Sequence, residues 1–263
     1  MAKLSISLAQ MQVTRGDISR NTNQMQKMVA EAARRKSSLL VFPELFATGY
    51  VLDEAKERAD TLNQGMFAEI STLATKGNLA ITGSILEKRG LEVANSMPFF
   101  APNGRMLGVY RKMHLFKLFD EDKYLAPGQS PLVLDLPWGT TGLAICYDLR
   151  FPEIFRRYAI KENAKMVIIV AEWPLARIDH WRALLIARAI ENQCFIVACN
   201  AAGQAGDTLM GGHSMIVDPW GRIVVEAGDS PQLITADIDL DEINIARGKL
   251  HSLTDVRKDV YDY

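Results

Sequence analysis

The stretch Gly142-Leu143-Ala144-Ile145-Cys146-Tyr147-Asp148-Leu149-Arg150-Phe151-Pro152-Glu153 runs from an apolar segment into a helix start. Gly142 to Cys146 has the continuous apolar character of a buried strand. Pro152 suits the first turn of a helix, and Glu153 suits its positive end. A cysteine therefore stands where a buried strand gives way to a helix. The N–H groups of a helix start lack partners and carry partial positive charge, which lowers a thiol's pKa and can hold an oxyanion. A buried structural cysteine is the competing reading, and the rest of the chain has to decide between them.

Working outward, strands and helices alternate. Leu4, Ile6 and Leu8 alternate as a strand, and Asp17 caps a helix with Met25, Met28, Val29, Ala32 and Ala33 at helical spacing. Leu39-Leu40-Val41-Phe42 is a short strand stopped by Pro43. A helix over Met66–Lys76 and a strand over Leu79–Leu86 come next. Ser96–Ala101 and Met106–Lys112 form a hairpin around Pro102-Asn103-Gly104-Arg105. Leu132–Leu136, Met166–Val170 and Phe195–Cys199 read as strands, and Ile178–Asn192 as a helix. Strands at Ser214–Val217, Ile223–Glu226 and Leu233–Ile238 precede a helix near Leu240–Leu250. No linker, repeat or composition break interrupts this order, so an α/β fold with mixed sheets in a single domain over residues 1–263 is expected.

Composition narrows the function. Of 263 residues, 48% are hydrophobic and 23% charged, which excludes a disordered or fibrous chain. Lys+Arg is 30 against Asp+Glu 31, so the net charge of -1 supplies no global field for nucleic acid. Three cysteines, Cys146, Cys194 and Cys199, are too few for a disulfide framework and fit a reducing, cytoplasmic setting. The N-terminus lacks the pattern of a signal peptide, and no apolar run approaches the ~20 residues of a membrane span. These facts are equally compatible with an enzyme and a binding module.

Two further motifs favour an enzyme. In Val41-Phe42-Pro43-Glu44-Leu45-Phe46 a carboxylate follows a buried strand and is flanked by apolar residues, the surroundings of a general base. In Tyr110-Arg111-Lys112-Met113-His114 a hairpin strand delivers a basic run, from which one lysine can turn inward to pair with Glu44 and steady a tetrahedral anion. Taken singly, the first is equally a loop cap and the second a solvated strand end. Together, Glu44, Lys112 and Cys146 each lie at or just past a strand end, where α/β sheets bind ligands. A thiol, a base and a cation make a complete acyl-transfer set.

The ordered blocks Phe42-Pro43-Glu44, Tyr110-Arg111-Lys112 and Cys146-Tyr147-Asp148-Leu149-Arg150-Phe151-Pro152-Glu153 resemble the nitrilase (carbon–nitrogen hydrolase) superfamily. The resemblance extends through Trp173-Pro174, His180-Trp181, Ala187–Gln193, Asn200 and Gly212-His213-Ser214, and is nearest to ω-amidase-like members. It implies a four-layer α-β-β-α sandwich with two mixed sheets. It implies Glu44 as general base, Lys112 as oxyanion stabiliser and Cys146 as nucleophile. Many members add a second glutamate after the lysine block; Glu121 is its match, with Asp120 and Asp122 in the neighbouring registers. Tyr147 would give a backbone oxyanion donor, and Tyr147, Arg150 and Trp173 would line the substrate, with Arg150 or Arg177 holding a far carboxylate. The implied reaction hydrolyses a small carboxamide, the ω-amide of a dicarboxylic or 2-oxo acid such as 2-oxoglutaramate, with no cofactor and no metal, in a homodimer or higher oligomer. A nitrilase or an N-carbamoyl amino-acid hydrolase on the same fold is the alternative. Two departures from the usual pattern lie near the pocket: Glu172 before Trp173, where relatives often carry a small or amide residue, and Ala201 after Asn200, where an arginine is common.

Other signals read as structure. His114, His180, His213 and His251 lack metal-ligand spacing. Gly212-His213-Ser214-Met215-Ile216 lacks the final glycine of a serine elbow and precedes a strand. Asp237-Ile238-Asp239-Leu240-Asp241-Glu242 begins like a calcium loop but has Glu242 at the position that requires glycine. Cys194 and Cys199 flank a buried strand and read as core.

Overall fold

In strand Leu39–Val41, Leu39 and Val41 enter one apolar core and Leu40 enters another. The two-residue period of a strand thus divides its side chains between two layers, and the same division organises the molecule. The computed structural model describes residues 3–261. Its strands are β1 Lys3–Gln10, β2 Leu39–Val41, β3 Ala80–Thr82, β4 Ile85–Arg89, β5 Glu92–Phe100, β6 Met106–Arg111, β7 Val133–Leu136, β8 Gly139–Ile145, β9 Met166–Ala171, β10 Phe195–Asn200, β11 Ala202–Ala205, β12 Thr208–Gly211, β13 Met215–Val217, β14 Ile223–Glu226 and β15 Gln232–Asp239. Its helices are α1 Ile18–Arg34, α2 Ala55–Arg58, α3 Gly65–Gly77, α4 Glu121–Tyr124, α5 Pro152–Ile160, α6 Ile178–Asn192 and α7 Asp241–Lys249.

One sheet runs β15-β1-β2-β3-β5, with β4 beside β3 on the same edge of β5 and β6 on its other edge. The second runs β14-β13-β10-β9-β8-β7, parallel at β8, β9 and β10 and antiparallel at its flanks. Leu4, Ile6, Leu8, Met97 and Phe99 of the first sheet share a core with Leu143, Ile145, Val167, Ile169 and Ile196 of the second. On the outer face of the first sheet, Leu40, Phe42 and Ile81 pack against Met25 and Val29 of α1 and Phe67 and Ile70 of α3. Phe155 and Tyr158 of α5 and Trp181 and Leu185 of α6 cover the second sheet. The order is helix, sheet, sheet, helix, the four-layer sandwich expected. Among the described residues no helix is long and apolar enough to cross a membrane.

Two local expectations need correction. The strand expected over Leu79–Leu86 is broken into β3 and β4 at Gly83 and Ser84. A Cβ at Gly83 would lie 2.6 Å from Phe42 Cβ, so only glycine lets the chain pass there. Ser84 leaves the ladder, and its Oγ accepts from the Leu45 N–H at 2.9 Å. The hairpin β11–β12 stands where the polar, glycine-containing run Gly203-Gln204-Ala205-Gly206-Asp207 gave no strand signal.

Candidate functional site

Four chain segments meet between the sheets, each released from the end of a strand. Glu44 follows β2, Lys112 follows β6, Cys146 follows β8 and Glu172 follows β9. Glu44 and Lys112 have no exposed side-chain surface, and Lys112 Nζ lies 2.8 Å from Glu44 Oε1. The same ammonium lies 2.6 Å from Glu121 Oε1. Asn95 Nδ2 donates to Glu44 Oε1 at 2.8 Å, and the Glu172 N–H donates to Glu44 Oε2 at 3.0 Å. Tyr50 OH donates to Glu121 Oε1 at 2.7 Å, and the Phe116 N–H to Glu121 Oε2 at 2.8 Å. Cys146 is 7% exposed, and its thiol feels the charge of Glu44.

The structure brings Glu44, Lys112, Glu121 and Cys146 together, and it resolves the carboxylate register at the third. Asp120 adopts φ 57°, which turns the chain into α4 and aims Glu121 inward. Asp120 itself points out to Lys123 Nζ, at 2.9 Å. Tyr147, Arg150, Trp173 and Arg177 line the cavity at Cys146 with Tyr50, Phe116 and Glu172. The Arg150 guanidinium lies over the Trp173 ring at 4.7 Å, and Arg177 over Phe116 at 5.6 Å. Neither arginine is paired with a carboxylate among the described residues. Free space beside the thiol is only about 20 Å³, room for one water-sized group. Tyr50, Phe119 and Glu172 also border an adjoining cavity of about 420 Å³ that reaches Arg15, Asp207 and Thr208.

The Cys146 expectation is corrected in two respects, the position of the thiol and the direction in which its pKa moves. Residues 146–150 form a 3₁₀ turn, and α5 begins only at Pro152, so the thiol is not at an α-helix terminus. Cys146 sits at φ 47°, the left-handed region that non-glycine residues rarely occupy. Burial and the negative charge of Glu44 push its thiol well above the ordinary range, and the opposing pull of Lys112 does not offset them. Burial also works against the charge on Lys112, yet Glu121 and Glu44 overcome it and hold the ammonium firmly protonated. Burial raises Glu121 against the pull of Lys112. Burial raises Glu172 strongly, and the charge of Glu44 adds to it.

Asn95, Tyr50 and Glu172 complete the cluster. Neither Asn95 nor Tyr50 carried a sequence signal for this role. Cys194 and Cys199 are buried in the core, and burial raises the Cys194 thiol to about 12. His114 Nδ1 contacts Asp148 Oδ1 and His213 Nδ1 contacts Glu226 Oε1, each at 2.7 Å. Among the described residues no group of three or more His, Cys, Asp or Glu could hold a metal.

Comparison with known proteins places this geometry in a family. The chain is 39% identical over 260 residues to a 2-oxoglutaramate amidase of Bacillus subtilis, covering 98% of this chain and 100% of the relative. It superposes with TM-score 0.92 on a CN-hydrolase superfamily protein of Xanthomonas campestris that carries an arsenic adduct in its active site, at 30% identity over 97% of this chain and 98% of that one. It superposes with TM-score 0.87 on a glutamate-to-glutamine variant of the amidase from Nesterenkonia sp. AN1, at 25% identity over 98% and 95% of the two chains. In that structure the acetamide moiety of fluoroacetamide is added covalently at the active-site cysteine. The carbon–nitrogen hydrolase profile matches residues 5–247, from the first strand to the last helix, and the chain belongs to that family.

Proposed function

We propose that the chain is a cysteine-dependent amidase that hydrolyses the ω-amide of a small dicarboxylic or 2-oxo acid to the acid and ammonia. The observation that carries this reading is the buried Glu44–Lys112–Glu121 cluster beside the Cys146 thiol, facing a cavity with two arginines that lack carboxylate partners. A thiol held in its protonated form needs a base, and Glu44 is the carboxylate whose charge bears most on it.

Glu44 takes the thiol proton as sulfur attacks the amide carbonyl. The oxyanion is held by Lys112 Nζ and the Tyr147 N–H. Glu44 returns the proton to nitrogen, the C–N bond breaks, ammonia leaves and an acyl-thioester remains. Water enters, gives its proton to Glu44 as it attacks, and the acid is released as the sulfur regains a proton. Glu121 and Tyr50 fix Lys112 in place throughout. Arg150 and Arg177 leave the faces of Trp173 and Phe116 to take the substrate's far carboxylate, which admits a dicarboxylate monoamide into a site that is otherwise nearly closed. The enzyme acts in the cytoplasm, which fits three unpaired cysteines, and as a homodimer, which is usual for the superfamily it resembles.

The test is ammonia release from 2-oxoglutaramate, succinamate, glutamine, aliphatic amides, a nitrile and an N-carbamoyl amino acid. Turnover is expected for the carboxylate-bearing amides and to fall at least about a thousandfold in Cys146→Ala. Arg150→Ala is expected to raise KM for these substrates while leaving aliphatic amides unchanged. Undiminished ammonia release from Cys146→Ala would sink the reading, and turnover confined to nitriles or carbamoyl compounds would move it to the corresponding reaction.

A further inference from the structure

Glu172 is 1% exposed, and its Oε1 is out of solvent with no hydrogen-bond partner. A buried polar group left unpaired costs stability, so its presence in a well-packed site calls for an explanation. The residue lies where a partner would arrive. It lines the cavity at Cys146 and also borders the larger one beyond Tyr50 and Phe119.

The hydrogen bonds of Glu44 indicate which part of the substrate that partner is. Oε1 of Glu44 is occupied by Lys112 and Asn95, both at 2.8 Å. Oε2 is approached by the Glu172 N–H at 3.0 Å. A proton exchanged with the leaving nitrogen travels on the less occupied oxygen, the side on which Glu172 is carried. The oxyanion belongs on the opposite side, at Lys112, and the acyl chain lies towards Arg150 and Trp173. The NH₂ group of the tetrahedral intermediate is left facing Glu172.

We propose that Glu172 is a substrate-contacting residue, its Oε1 accepting an N–H of the scissile carboxamide, and that it makes the site selective for primary amides over the corresponding esters. The inference rests on the amidase reading above. Burial and Glu44 raise the Glu172 carboxyl and so favour its neutral form, with Lys112 and Arg15 opposing. A neutral acid still offers its carbonyl oxygen, and it does not capture the departing ammonia as a bound ammonium. The free volume beside the thiol fits a group the size of NH₂ or water, and the cavity shared through Glu172 gives ammonia a way out and water a way in.

The experiment compares kcat/KM for succinamate and for monomethyl succinate in the full-length wild type, Glu172→Gln and Glu172→Leu, together with thermal unfolding of each. Glutamine keeps the acceptor, so the amide-to-ester ratio should stay within about threefold of wild type. Leucine removes the acceptor, and the ratio should fall about tenfold or more, as for one lost hydrogen bond to a reacting group. The Tm of Glu172→Leu should equal or exceed that of wild type, because an unpaired acid gives way to an apolar group of similar volume. A ratio unchanged in Glu172→Leu, a ratio lost equally in Glu172→Gln, or a Glu172→Leu chain that does not fold would each overturn the proposal. A wild type that hydrolyses neither compound nor any other amide would instead overturn the amidase reading beneath it.

Discussion

At Cys146, charge and conformation oppose the usual picture of an activated thiolate. Its φ of 47° costs roughly 1 kcal/mol for a residue with a side chain, and Leu45, next to Glu44, shares the strain at φ 42°. Two strained residues thus present the thiol and the carboxylate to each other. Burial and Glu44 keep the proton on sulfur, so in the proposed mechanism Glu44 both suppresses the resting thiolate and receives the proton during attack. The two effects separate in Glu44→Gln. Removing the carboxylate's charge leaves Lys112 free to lower the thiol, so the pH midpoint for alkylation of Cys146 by iodoacetamide should shift downwards. Amide turnover should fall at least about a hundredfold in the same variant. Intact-mass kinetics across pH 6–10 (about that range brackets ordinary thiol titration) read the first effect, and a midpoint that stays or rises would contradict it.

The element that aims the thiol is the 3₁₀ turn after β8, and its anchor is Asp148. This carboxylate is fully buried and accepts from Tyr110 OH at 2.7 Å, the Ile145 N–H at 2.9 Å and the His114 N–H at 3.1 Å, and it also contacts His114 Nδ1. Through Tyr110 and His114 it ties the β8 turn to the segment that carries Lys112. Asp148→Ala leaves these buried donors unpaired and should destabilise the fold by about 3 kcal/mol, whereas Tyr110→Phe should cost about 1. Urea unfolding measures both, and equal values would deny Asp148 this linking role. The elements also explain what the sequence disclosed. Glu44, Lys112 and Cys146 were legible because each closes a strand with a clear apolar pattern, and pattern plus position suffices there. Glu121 was legible only to within a residue, because its direction depends on the left-handed turn at Asp120, for which asparagine or glycine would have been the usual signal. Tyr50 and Asn95 were not legible, since each is defined by a partner on another segment, Glu121 or Glu44, and no local periodicity encodes such a contact. The break at Gly83 was missed for the same reason: the obstacle is Phe42, just past the neighbouring strand β2.

At the scale of the whole molecule, the sandwich concentrates ionisable groups between its sheets and removes them from water. The first sheet contributes Glu44 and Lys112, and the second contributes Cys146 and Glu172, so the site exists only while the sheets stay packed. That arrangement carries a signature in the pH dependence of stability. Glu121 and Glu172 are both raised, so above the unfolded carboxyl range the native state holds protons that the unfolded chain has released. Stability then falls as pH rises from about 4.5 through the folded values, by about 1.4 kcal/mol per pH unit for each proton so held. The raised Lys112 contributes with the same sign but only above the ordinary lysine range, and the exposed Glu31, lowered to about 2 by Arg34 and Arg35, matters only on the acid side. Between about pH 5 and 8 the buried acids therefore dominate the slope among the shifted groups. Glu172→Leu removes one retained proton, so its stability advantage over wild type should be small near pH 5 and grow as pH rises above it. Urea unfolding of the two proteins at a series of pH values gives that difference directly. A difference independent of pH would mean that Glu172 ionises as freely in the folded chain as in the unfolded one, and that the packed sheets do not hold its proton.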